Sequence, residues 1–210
     1  IRRMDSDTMD KPGSHQQVLD AFRAGLVQVL LGTQMIAKGH DFPGVTLVGV
    51  VQADSALQVA DFRAAERTFQ LLAQVAGRAG RGAKPGRALV QTYLPEHPLM
   101  QALKKGDRDS YLNQEKAIRE NVGLPPYGRL AAIILSGNDA AETERFARSL
   151  SLIAPLADGI TVLGPAVAPI AMVRGRHRWR FLVKAGRDVN LQAFLRLWLK
   201  DVKPKGSLAL

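Results

Sequence analysis

The chain has 210 residues, enough for one or two domains with a buried core. It contains no cysteine, so disulfides and thiolate-bound zinc or iron–sulfur centres are excluded within it, and its four histidines show no metal-ligand spacing. No apolar run approaches the roughly 18 residues of a membrane helix and no signal segment follows Ile1, so we expect a cytoplasmic protein without a membrane partner.

The charge distribution indicates a polyanionic partner. The net charge is +10, and residues 126–210 hold 13 basic against 6 acidic residues, a surplus of +7. Such a concentration of positive charge favours nucleic acid above all.

The first part of the chain alternates predicted strands and helices. A capping-box pattern at Ser14 and Gln17 predicts a helix over 14–24, and Asp61 can cap a second, longer helix. Apolar runs predict strands over 27–31, 45–51 and 87–93. We therefore expect residues 1–95 to form a doubly wound α/β unit, with a parallel sheet and helices on both faces.

A proline-bounded connector and a second unit follow. The connector, 96–126, is polar and helical in pattern. Residues 127–210 predict a smaller α+β domain, in which Asn138 or Asp139 caps a helix and Trp198 belongs to the core-facing stripe of the last helix. Further strands are predicted over 130–136, 160–163, 166–173 and 178–184.

Two arginines three residues apart, Arg78 and Arg81, follow the helix that Asp61 begins. Helical spacing places them near one polar face with other polar side chains, namely Arg63, Arg67, Gln70 and Gln74. One interpretation is a solvated basic helix face. The glycines at 77 and 80 favour the other, a site that a phosphate approaches closely, because glycine is costly within a helix.

A second candidate site is the loop 32–43, which directly follows a predicted strand. Ligands of open α/β sheets bind at the carboxyl ends of strands. Thr33 and Gln34 can offer polar groups to a sugar-phosphate backbone, and Asp41 can accept a hydrogen bond from a ribose hydroxyl or orient an arginine. Glycine, proline and a carboxylate also make an ordinary turn, which is the alternative.

These two segments resemble motifs V and VI of superfamily 2 helicases. Gly32–Met35 running into Lys38–Pro43, and Gln74–Arg81, are most similar to the primosomal replication-restart DNA helicases of bacteria. The resemblance continues through shorter segments at 61–63, 95–98, 124–126, 163–165 and 178–179. It implies part of a RecA-like helicase lobe 2 followed by the C-terminal domain of that family.

The resemblance also implies an activity and partners. Members of the family are ATP-dependent 3′ to 5′ DNA helicases that recognise stalled or abandoned forks and initiate primosome assembly. The implied partners are forked and single-stranded DNA, the C-terminal tail of single-stranded DNA-binding protein, other primosome proteins and the replicative helicase loader.

Residue roles follow from the same motif match. Arg81 is expected to be the arginine finger, Arg78 a second contact to the γ-phosphate, and Gln74 a sensor of the nucleotide. The remaining matched positions are Asp41 and Gly39 on the ATP side, and Thr33, Gln34 and Lys38 on the DNA side.

The departures from the family pattern are equally informative. The chain has no Gly-Lys dipeptide for a Walker A motif, no Asp-Glu pair for a Walker B motif, and none of the family's zinc-binding cysteines. We expect ATP with Mg²⁺, and zinc, to bind in the parent protein with help from residues outside this chain. The chain, as a C-terminal fragment, is expected to be inactive alone.

The stretch from Arg174 to Phe181 alternates arginines with other residues. A turn at Gly175 would leave Arg178 and Arg180 outward, with Trp179, Phe181 and Val183 packed inward. This arrangement predicts contact with a DNA backbone. A charged edge strand that discourages aggregation is the alternative.

The family resemblance suggests that Arg187 and Gln192 lie on the rim of the site for the tail of single-stranded DNA-binding protein. The alternative function for the whole chain is a non-catalytic module for nucleic-acid binding and protein docking. A metabolic α/β enzyme is disfavoured, because no set of nucleophile, base and orienting group is evident.

Overall fold

The computed structural model describes residues 1–5, 14–33, 42, 44–80 and 85–210. The chain forms two compact units, Ile1–Tyr111 and Leu112–Leu210. The division between them falls inside the connector expected at 96–126, and the boundaries of that connector stay a prediction. Two helices occupy this region, α3 at Pro98–Lys105 and α4 at Arg108–Asn121.

The described part of the first unit contains two pairs of parallel strands. Strand β1 (Arg2–Met4) pairs with β2 (Leu30–Gly32), and β3 (Leu47–Val50) pairs with β4 (Arg87–Val90). Helix α1 (Ser14–Arg23) lies between β1 and β2 in the chain, and α2 (Ala64–Ala76) lies between β3 and β4. Parallel strands joined through helices confirm the predicted α/β class.

Strand β2 begins later than the sequence predicts. Val27 starts the predicted apolar run, but its amide donates to the carbonyl of Ala21, 3.3 Å away, in the turn that ends α1. Gly25 allows this turn with φ of 76°. An amide used in a helix cap is not available to a neighbouring strand, so the ladder begins only at Leu30.

Buried aromatic and aliphatic side chains hold the first unit together. Met4 and Leu19 pack with Phe42, whose ring meets that of Phe22 edge-on at 5.1 Å. Farther along the chain, the rings of Phe69 on α2 and Tyr111 stack at 4.6 Å. Both contacts anchor elements that carry or flank the two candidate motifs.

The second unit is a three-stranded antiparallel sheet with two further helices, as the predicted α+β class requires. Its strands are β5 (Gly128–Gly137), β6 (Ile160–Val173) and β7 (Arg176–Gly186), in the order β5–β7–β6. The helices are α5 (Ala140–Leu152) and α6 (Leu191–Leu199). Residues 160–163 and 166–173, predicted as two strands, form one strand with register shifts.

The core of the second unit lies between the sheet and these helices. Its buried members are Ile133, Leu135, Ala147, Leu150, Phe181, Val183, Ala185, Leu191, Phe194 and Trp198. The indole Nε1 of Trp198 donates to the carbonyl of Leu150 at 3.0 Å, which satisfies its buried polar atom. Trp198 is therefore a core residue, as the helical stripe predicts.

Candidate functional site

The structure describes seven of the twelve predicted site residues. They are Thr33, Gln74, Arg78, Arg178, Arg180, Arg187 and Gln192. Gln34, Lys38, Gly39, Asp41 and Arg81 lie outside the described residues. The roles assigned to all twelve from the family motifs stay predictions.

Helix α2 orients the polar residues of motif VI. The side chain of Asp61 accepts from the amide of Arg63 at 2.9 Å and from Nη1 of Arg67 at 2.8 Å. Phe69 and Leu72 are buried on the other face of the helix. Arg63, not Asp61 as predicted, is the N-cap residue of α2, and Asp61 instead places a carboxylate beside Arg67.

Gln74 and Arg78 lie together at the carboxyl end of this helix. α2 ends at Ala76, and the amide of Arg78 donates to the carbonyl of Val75 at 3.1 Å in the turn that follows. Gln74 is exposed, whereas Arg78 is half-buried. A helix carboxyl end favours a cation but repels a phosphate, so any phosphate contact here depends on guanidinium groups rather than backbone amides.

Gly80, between the two motif arginines, is required by packing within the protein. Its φ is 79°, and its amide donates to the carbonyl of Val45 at 3.0 Å. A Cβ at this position would lie 2.6 Å from the backbone nitrogen of Gly86. The close approach inferred from the sequence is therefore between two backbone segments, which gives this glycine a reason that does not involve a ligand.

Thr33 lies where the sequence predicts, immediately after β2 and at its carboxyl end. Its side chain is exposed. Phe42, near the far end of the same loop, is buried against Met4 and Leu19. Strand β2 therefore fixes the position of Thr33, and this buried contact fixes that of Phe42.

No sequence pattern singles out Asp54, which is buried at the carboxyl ends of β3 and β4. Its carboxylate accepts from the hydroxyl of Thr92 and, at 2.7 Å, from the amide of Tyr93. These hydrogen bonds, that of Thr92 above all, hold the pKa of Asp54 below its usual value. Asp54 thus ties together the segments that leave two neighbouring strands.

Strand β7 places its aromatic and aliphatic side chains inward, as predicted. Phe181 and Val183 are fully buried, and Trp179 packs against the same core. Arg178 and Arg180 are half-buried rather than fully outward. Nη1 of Arg178 lies 3.5 Å from the carbonyl of Ile170 on β6, so this arginine is partly engaged by the protein.

Arg187 and Gln192 are both exposed, on either side of the turn between β7 and α6. Asn190 caps α6 by accepting from the amide of Ala193 at 3.0 Å. Arg187 in the turn and Gln192 in the first turn of α6 are therefore both accessible to solvent. Their role as a rim for a peptide tail stays a prediction.

The described residues contain neither a candidate metal cluster nor a membrane-spanning helix. No group of three or more histidine, aspartate or glutamate side chains in them could hold a metal ion. None of their helices is long and apolar enough to span a membrane.

The chain is similar to two family models and to several characterised proteins. Residues 1–83 match the helicase conserved C-terminal domain, and residues 120–208 match the primosomal protein N C-terminal domain. The chain is 43% identical over 205 residues to the replication restart protein PriA of Bacillus subtilis, covering 97% of this chain and 26% of that protein.

Two other relatives carry the same name. Identity to the PriA of Synechocystis is 45% over 184 residues, covering 87% of this chain and 22% of the relative. Identity to the PriA of Rickettsia conorii is 40% over 203 residues, covering 97% and 31%. This chain thus spans about a fifth to a third of the length of these curated relatives. With its helicase C-terminal domain followed by a primosomal C-terminal domain, the chain belongs to the PriA family of replication restart proteins.

Proposed function

We propose that this chain is part of an ATP-dependent 3′ to 5′ DNA helicase that acts at stalled or abandoned replication forks and initiates primosome assembly. The observation that carries the proposal is the joint position of Gln74 and Arg78 at the end of α2, whose opposite face is buried. That arrangement suits one half of a nucleotide site completed by a phosphate-binding loop on another lobe. The protein is expected to act in the cytoplasm, on the chromosome.

The proposed role of this half-site is electrostatic. Arg81 and Arg78 would stabilise negative charge on the transferring γ-phosphoryl group, with Gln74, Asp41 and Gly39 on the nucleotide side of the cleft. The Mg²⁺ ion that accompanies ATP would be held outside this chain, as would zinc, for which the cysteine-free sequence offers no thiolate. Alone, the chain should neither hydrolyse ATP nor unwind DNA.

A chimeric helicase tests this proposal. The matching region of Bacillus subtilis PriA is replaced by this chain, and DNA-stimulated ATP hydrolysis is measured. We expect Arg81→Ala to lower the rate by roughly 10³-fold or more, as loss of an arginine finger does elsewhere. Arg67→Ala is the matched control, because Arg67 lies on the same helix and pairs with Asp61. An Arg81→Ala chimera as active as its parent, or robust hydrolysis by the chain alone, would contradict the proposal.

The second proposed contact is with DNA. Thr33, Gln34 and Lys38 would meet the backbone at the end of β2. Arg178 and Arg180 would meet it on the second unit, where the chain carries its surplus of +7. Such contacts release counterions, so affinity for forked and single-stranded DNA should fall steeply with salt. A DNA affinity that does not change between two salt concentrations would contradict this contact.

The alternative function is a non-catalytic module for nucleic-acid binding and protein docking. The positive charge of the second unit favours it as well. Its proposed protein partners are the tail of single-stranded DNA-binding protein, other primosome proteins and the replicative helicase loader. A titration with a tail peptide tests the first of these. Arg187→Glu should weaken binding strongly, and Lys205→Glu, an exposed charge reversal in the same unit, should weaken it less. Equal effects would remove Arg187 from the site.

A further inference from the structure

The tip of the hairpin formed by β6 and β7 exposes apolar side chains. Ile170, Met172 and Val173 are 62%, 51% and 39% exposed. All three lie at the end of β6, next to the turn that begins β7. Clustered exposed apolar side chains on a rigid element are typical of an interaction surface.

The tip is rigid. Met172 pairs with His177 and Val173 with Arg176, which leaves Arg174 and Gly175 as a two-residue turn. Their φ angles of 50° and 74° are those of the turn type that matches the twist of paired strands. Behind the turn, the guanidinium of Arg176 donates to the carbonyls of Ser136 at 3.0 Å and Ser207 at 2.6 Å. The hairpin that carries the exposed apolar side chains is therefore held in place by its turn and by the hydrogen bonds of Arg176.

The charged residues of the hairpin that carries the tip are all positive. Residues 159–187 contain no aspartate or glutamate, while Arg174 is exposed and Arg178 and Arg180 are half-buried on the adjoining strand. Exposed apolar side chains beside arginines are complementary to a partner in which a flat apolar interior lies between two rows of negative charge. The stacked base pairs of duplex DNA have that chemistry.

We propose that this hairpin tip is a wedge for duplex DNA, in which Met172 and Ile170 insert between base pairs while Arg174 contacts a flanking phosphate. The inference rests on the proposed DNA-binding function and adds a substrate form and a mode of contact to it. Proteins that deform DNA in this way insert methionine, isoleucine or similar side chains beside arginines and kink the duplex by about 20–90°.

Single-stranded DNA suits the tip less well. Proteins that bind it without sequence preference stack bases on aromatic side chains. The aromatic residues of β7 are turned away from this role, because Phe181 is fully buried and Trp179 packs against the core. The exposed side chains at the tip are aliphatic or thioether, which suits insertion between base pairs rather than a stacking platform.

Energy transfer between dyes at the two ends of a short duplex tests the proposal. Binding of the unsubstituted chain should raise the transfer, because a kink brings the ends together. The double variant Ile170→Ala/Met172→Ala should bind with an affinity within a few-fold of the parent but give no rise. The matched control is Leu163→Ala/Val167→Ala, which removes side chains 50% and 54% exposed on the same strand; it should kink the duplex as the parent does.

Arg174→Ala provides a second readout. It should weaken duplex binding and lower the slope of log affinity against log salt by about 1, the value for loss of one phosphate contact. Salt-dependent binding with no rise in energy transfer, or a rise retained in the Ile170→Ala/Met172→Ala variant, would overturn the wedge and leave the proposed DNA binding intact. No salt-dependent binding of duplex or single strands would instead overturn the proposed DNA contact, and the wedge with it.

Discussion

Arg176 donates a 2.6 Å hydrogen bond from Nη2 to the backbone carbonyl of Ser207, thirty-one residues away. The same guanidinium donates to the carbonyl of Ser136 at 3.0 Å. Next to it, Ala209 and Ser136 exchange two backbone hydrogen bonds of 2.8 and 2.9 Å. The arginine thus joins the start of β7 to the end of β5 and to residues 207–209, which extend the edge of the sheet.

Replacing Arg176 with lysine should loosen residues 207–209 and destabilise the second unit. The guanidinium reaches both carbonyls through Nη2 and the hydroxyl of Ser136 through Nε, and the single nitrogen of a lysine cannot replace all three contacts. Charge-assisted hydrogen bonds contribute about 1.5–3 kcal/mol. Hydrogen exchange at the amide of Ala209 and urea unfolding of the whole chain measure the two effects. Arg145→Lys, at an exposed position on α5, is the control. Unchanged protection at Ala209 would show that the pairing does not depend on Arg176.

Trp198→Phe tests the hydrogen bond at the centre of the second core. The substitution removes the indole donor 3.0 Å from the carbonyl of Leu150 and leaves that acceptor without it in a buried site. We expect a loss of roughly 1–3 kcal/mol in the free energy of unfolding. Leu197→Ala, on the same helix but 65% exposed, should change it by about 0.5 kcal/mol or less. Equal losses of unfolding free energy in the two variants would contradict a stabilising role for the hydrogen bond between Trp198 and Leu150.

The second unit could be predicted closely because its signals are local. Asp139 caps α5 by accepting from the amide of Glu142 at 2.6 Å. The two residues are three apart in the chain, so the sequence pattern alone predicts this cap. The inward residues of β7 likewise follow from alternation alone. Strand β1 had no such signal, because Arg2 and Arg3 precede a single buried residue, Met4, and the strand exists through pairing with β2.

Candidate site residues were predictable in position but not in environment. Chain order and the strand pattern place Thr33 at a carboxyl end, and the helix pattern places Gln74 near Arg78. Neither pattern shows that Asp54 meets Thr92, because 38 residues separate them and only the pairing of β3 with β4 brings them together. The sequence pattern likewise does not show that a side chain at Gly80 would meet the backbone of Gly86.

Asp54→Asn should reduce stability near neutral pH and remove a pH dependence in the acid range. The lowered pKa of Asp54 means that its ionised form binds Thr92 and Tyr93 in the folded state. The stabilisation is therefore complete above the unfolded pKa of about 3.9 and is lost as pH falls from there through the folded pKa. Urea unfolding at a series of pH values measures it, and the two proteins should converge at the lowest pH.

A difference between Asp54→Asn and the parent that stayed constant across the acid range would contradict this account. Asp158→Asn is a suitable control, because Asp158 is an exposed carboxylate in the other unit. That variant should follow the pH dependence of the parent.

Gly80→Ala should destabilise the first unit without removing any group proposed to touch ATP. A Cβ would lie 2.6 Å from the nitrogen of Gly86, and φ of 79° disfavours any side chain, so we expect a loss of at least about 1–2 kcal/mol. Gly49→Ala is the control, because a Cβ there meets nothing within 4 Å. Thermal unfolding of the chain measures the stability of the Gly80→Ala and Gly49→Ala variants. If Gly80→Ala unfolds at the same temperature as the control, its glycine is required by something other than packing against Gly86.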